Sequence, residues 1–169
     1  MKNIYHFVFL MMFLVLIQVL FLNQIDLFGY IDPFIYLILI IILPQNIEKW
    51  MILLFGISMG LLLDLFEGNL GLNMASLVFI SYLKPYLQVI TIPRNSVDEK
   101  EKLNLRVLGF RIFSIHALSI IFLHNLFLFI LDYFQNFDIL FILFKITASS
   151  IITYIFILII QIFSYKSKN

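Results

Sequence analysis

The chain has 169 residues, 63% of them hydrophobic and 12% charged, with a formal net charge of +1 and a mean hydropathy of +1.06. That apolar share lies far beyond an ordinary soluble domain and predicts an integral membrane protein, and with no polar block longer than residues 93–106 no separate soluble domain is expected. The absence of cysteine excludes disulfides, thiolate metal sites and cysteine nucleophiles. The few basic residues are interleaved with acids, so a nucleic-acid surface has no support.

Six apolar segments, 4–22, 31–43, 50–66, 70–92, 107–131 and 139–163, predict an all-α integral membrane protein, one polytopic domain of six transmembrane helices in a single bundle. The first follows Lys2 and lacks a small-x-small cleavage site, so it reads as an uncleaved signal anchor. The second is bracketed by Pro33, which suits a first helical turn, and Pro44, which marks an end. At about 1.5 Å per residue it is too short to cross about 30 Å of hydrocarbon as a plain helix, so a re-entrant or distorted segment is the alternative to a regular span.

In the third segment Gly56, Gly60 and Asp64 recur at four-residue spacing and form one stripe on a helix. The two glycines make a small-xxx-small element that allows close approach of a neighbouring helix, either from this chain or from a partner. Gly68 and Gly71 follow, suited to a tight hairpin because glycine takes positive φ without steric cost. A carboxylate in an apolar span is costly and needs a reason.

The fourth segment carries Asn73, Ser76 and Lys84 on one face, with Pro85 expected to bend the helix beside Lys84. Lys84 is expected to snorkel its amine to the headgroups, and Arg111 in the fifth segment to do the same. His116 and His124 stand about 80° out of phase on a helix with no third ligand beside them, so no metal site is expected, and Asn125 is expected to bridge helices. In the sixth segment Lys145, Ser149 and Thr153 form another polar stripe. Lys145 matches Asp64 in depth and opposes it in charge, so an ion pair between the third and sixth helices is expected. Trp50, Tyr30, Tyr133 and Tyr165 fall at span ends, where amphipathic rings suit the headgroup layer.

With six spans and an internal N-terminus, the first, third and fifth connections hold Asp26, Asp32, Asp64, Glu67, Asp132 and Asp138 and no Lys or Arg. Lys2, Lys49, Arg94, Lys100, Lys102, Arg106, Lys166 and Lys168 fall on the other side. This positive-inside pattern predicts cytoplasmic termini. The loop from Arg94 to Arg106 reads as an ordinary solvated connection.

The run from Pro44 to Lys84 resembles the rod shape-determining MreD family of bacteria. The resemblance rests on Pro33, Leu43-Pro44, Gly56, Gly60, Asp64-Leu65, Gly68, Leu70-Gly71 and Tyr82-Leu83. It implies a non-enzymatic, cofactor-free subunit of the cell-elongation machinery in the bacterial inner membrane. Its partners would be an MreC-like scaffold, MreB filaments, and RodA with its transpeptidase. The fold it implies is similar to the substrate-binding subunits of ECF-type transporters, so a vitamin-binding membrane subunit is the alternative function. An enzyme has little support, because no nucleophile, base and orienting group appear together.

Overall fold

The computed structural model describes residues 2–24, 31–69, 71–93, 97–133 and 138–166, with the side chains of 2–4, 165 and 166 excepted. Expectations resting on Asp26, Tyr30, Leu70, Arg94 and Lys168, or on the side chains of Lys2, Tyr165 and Lys166, lie outside the described residues. Among those residues every regular element is helical: α1 (Lys2–Leu20), a 3-10 turn (Leu22–Gln24), α2 (Leu37–Ile42), α3 (Lys49–Glu67), α4 (Leu72–Thr91), α5 (Leu105–Asp132) and α6 (Ile139–Lys166).

Four stretches, Tyr5–Gln24, Lys49–Glu67, Leu105–Asp132 and Ile139–Ser164, are helical, long and apolar enough to cross a membrane. α4 is of similar length but less apolar, and its polar side chains point inward. Asn73, Ser76, Ser81, Lys84 and Gln88 are buried, while Tyr82, Tyr86, Val89 and Ile90 are exposed. Such a helix is amphipathic in the inverse sense, with its apolar face directed away from the protein. Within α5, Gly109 takes φ 71 and ψ 164, a conformation open to glycine, and breaks the helix into a first turn and a long second part.

The second segment departs from a regular transmembrane helix. Only Leu37–Ile42 is α-helical; residues 32–34 and 43–44 are non-helical, and Pro33 stands before the helix instead of in its first turn. The helix is entered through i→i+3 bonds from the Leu37, Ile38 and Leu39 amides to the Phe34, Ile35 and Tyr36 carbonyls. Extended residues advance about 3.3 Å and helical ones about 1.5 Å, so non-helical residues at either end can carry the chain farther than a helix of the same number of residues. Every residue from Pro33 to Pro44 is buried. A short helix written Leu-Ile-Leu-Ile-Ile-Ile has no polar face and suits a position enclosed on all sides.

The backbone polar groups of this broken segment are met by side chains of the surrounding helices. Gln18 of α1 donates to the Pro33 carbonyl at 2.9 Å and accepts from the Ile35 amide at 3.1 Å. Ser149 and Thr153 of α6 accept from the Asp32 and Phe34 amides at 3.1 and 3.0 Å. At the far end the Leu43 carbonyl accepts from Lys84 Nζ at 2.8 Å and Gln88 Nε2 at 3.4 Å. The Ile42 carbonyl accepts from the Leu103 amide. Lys84 therefore does not snorkel: it is fully buried, and its amine donates to the Leu43 carbonyl that follows α2.

A buried amide left without its acceptor costs about 1–3 kcal/mol. Thr153→Val, nearly isosteric, is expected to lower stability by that amount, whereas Thr147→Val, at an exposed position of the same helix, should be nearly neutral. Thermal unfolding of the detergent-solubilised chain reads the difference.

Candidate functional site

The glycine-acid motif builds the turn between α3 and α4. Gly68 caps α3 at φ 70 and Gly71 precedes α4 at φ 88, both left-handed conformations that favour glycine. Gly71 has no side chain with which to cap α4, and Asp64 supplies the cap from the preceding helix. Its carboxylate accepts from the Asn73 amide at 3.0 Å and the Met74 amide at 2.9 Å. Its backbone carbonyl accepts from the Gly68 and Asn69 amides, so one residue ends α3 and begins α4. A carboxylate at a helix N-terminus is stabilised by free amides and by the helix dipole, which offsets its burial at 7% exposure.

Gly56 and Gly60 make this approach sterically possible. A Cβ on Gly60 would lie 2.4 Å from the Met74 Cα, and one on Gly56 would lie 2.8 Å from the Leu77 carbonyl oxygen. The helix these glycines admit is α4 of the same chain.

The expected pairing of Asp64 with Lys145 does not form. Lys145 Nζ pairs with Asp32 at 3.0 Å, donates to Tyr133 Oη at 3.1 Å, and lies 4.8 Å from the centre of the Phe129 ring. Asp64 is engaged by two amides of α4, and Asp32 opens the segment that Ser149 and Thr153 already grip, so the whole α6 stripe serves residues 32–34. Tyr133 is thereby drawn into a polar contact, whereas Trp50 is exposed and donates to Glu48. Arg111 is exposed near the start of α5.

Beside the turn, Glu67 accepts from three side-chain amides: Asn23 at 2.7 Å, Asn69 at 2.8 Å and Asn73 at 2.6 Å. The Asn73 oxygen lies 3.3 Å from Tyr36 Oη, which is 3.4 Å from His124 Nε2. His124 Nδ1 meets Asn125 Oδ1 at 3.1 Å, and Asn125 donates to Ser150 at 3.0 Å. This chain of contacts ties the end of α1 to α6 through every intervening layer and includes the interhelical bridge expected of Asn125. His116 meets Thr91 at 2.8 Å, far from His124 in this network. Among the described residues no three His, Asp or Glu stand where they could hold a metal ion. Asn23, Asp32, Glu67, Asn73 and Asp132, with Phe34 and Phe129, line a cleft of about 300 Å³ at this end of the bundle.

Gln18, Tyr36, Gln88 and Gly109 went unremarked in the sequence. The signal for Gln18 was available, since a lone glutamine deep in an apolar span needs a polar partner. Comparison with known protein families, characterised proteins and solved structures finds no match to this chain.

Asp64→Ala removes both acceptors from the first amides of α4 and is expected to destabilise by about 2–5 kcal/mol, at the scale of a buried charged partner lost, with Asp64→Asn intermediate. Asp64→Lys with Lys145→Asp should rescue neither single change. Gly60→Ala forces backbone apart and should cost about 1–3 kcal/mol or more. Thermal unfolding in detergent ranks all of these variants.

Proposed function

We propose that the chain is a non-enzymatic subunit of the cell-elongation machinery in the bacterial inner membrane, with cytoplasmic termini and the Glu67 end toward the periplasm, as its resemblance to MreD implies. The observation that carries this reading is the use made of the shared motif. Gly56, Gly60, Asp64, Gly68 and Gly71 all go into joining α3 to α4, so what the resemblance captures is a packing rule and not a reaction. The polar side chains within the spans are likewise largely occupied within the protein, with its backbone or with one another, which suits a scaffold that presents a rigid surface to other membrane helices. Partners such as an MreC-like scaffold, MreB, and RodA with its transpeptidase would meet faces that α3 and α4 do not bury against each other, and on α3 these carry Ile57, Leu61 and Leu65.

The cleft favours a second reading. At about 300 Å³, lined by amides, carboxylates and two phenylalanines, it has the size of the smallest ligand sites and would suit a vitamin-binding subunit of an ECF-like transporter.

Depletion of the chain in its rod-shaped host is expected to round the cells, and a photo-crosslinker at Leu61 or Leu65 to capture a bitopic scaffold or a synthase subunit. Cells that stay rod-shaped, with an ATPase module captured, would replace this reading with the transport one.

A further inference from the structure

α1 rests on α3 and the broken second segment, α6 rests on α5, and a groove of about 330 Å³ stays open between α1 and α6. Phe13 and Ile160 wall it, and Ile38 of α2 forms its floor. At the end where α1 begins and α6 finishes, the lining turns polar with His6, Lys102 and Ser164. Lys102 itself lines this end of the groove, with its Nζ 5.1 Å from the centre of the neighbouring Phe7 ring.

We propose that this groove holds one acyl chain of an anionic phospholipid, with the headgroup phosphate beside Lys102 and His6. A lateral opening between membrane-crossing helices faces lipid tails, and its apolar trough ends in hydrogen-bond donors where those helices end. That order of apolar length and cationic mouth is complementary to an anionic amphiphile standing in the leaflet. A partner helix is a poorer occupant, because with side chains it is about 10–12 Å across and needs a far wider seat. The tail is as well solvated in the bilayer as in the groove, so selectivity resides in the headgroup. One lysine near an anionic surface contributes about fivefold. This proposal is independent of the elongation reading.

The test uses the full chain purified in detergent, with dioleoyl phosphatidylglycerol or dioleoyl phosphatidylcholine added and retention read by native mass spectrometry. One phosphatidylglycerol per chain is expected, preferred about fivefold over phosphatidylcholine. Lys102→Gln should erase the preference and Lys102→Arg keep it. Ile160→Trp, which fills the groove, should abolish retention, while Ile151→Trp, exposed elsewhere on α6, should not. Equal retention of the two lipids, or retention unaffected by Ile160→Trp, overturns the proposal. Should Ile160→Trp unfold, Phe13→Trp in a Trp50→Phe background reads the same groove with acyl-brominated phosphatidylglycerol. Stronger quenching there than for Ile151→Trp in the same background supports the site, and equal quenching overturns it.

Discussion

A stretch of backbone that is neither helix nor sheet runs through the middle of an apolar bundle, and its amides and carbonyls cannot look to water for partners. Residues 32–36 and 43–44 impose that demand here, and the interior is arranged around meeting it. Gln18, Ser149 and Thr153 serve one end, and Lys84 with Gln88 serves the other. Each unmet group would cost about 1–3 kcal/mol. These side chains are therefore fixed in type and position by the broken segment, and the helices that carry them are held around it.

The same logic governs Asp64. A helix beginning inside the protein presents free amides, and the left-handed residue needed to turn the chain at Gly71 brings no side chain to cap them. Asp64 reaches those amides only because Gly56 and Gly60 let α3 and α4 approach to backbone contact. Glycines and carboxylate are thus one device. Removing the carboxylate strands the amides, and enlarging the glycines withdraws the amides from the carboxylate.

Much of this was readable in the sequence, and the misses share a cause. The glycine turn, the inward polar face of α4 and the polar stripe of α6 follow from helical periodicity and from the φ that glycine permits. Periodicity identifies faces but does not say what those faces touch. Lys145 was matched to Asp64 on depth and sign alone, and Asp32 satisfies both criteria while belonging to the segment that the same stripe holds. Lys84 was assigned to the headgroups because lysine near a span end has that outlet. The competing demand, a buried carbonyl at Leu43 without a helical partner, exists only because α2 stops there, and nothing local to Lys84 announces it. The second segment was marked by its shortness, yet its broken form depends on side chains scattered over α1, α4 and α6.

An interior whose polar groups are largely engaged with one another and with the backbone leaves recognition to the periphery. The side chains that face outward on α1, α3 and α6 are mostly aliphatic and aromatic, and within a bilayer apolar area alone does little to choose between a lipid and a helix. Discrimination therefore has to come from shape and from the places where charge reaches the surface. Two such places among the described residues have opposite character. The cleft beside the α3–α4 turn gathers Asp32, Glu67 and Asp132, while the mouth of the α1–α6 groove carries Lys102 and His6. They lie at opposite ends of the bundle, so a partner or lipid that selects by charge meets a different surface at each end, with the broken segment joining the two.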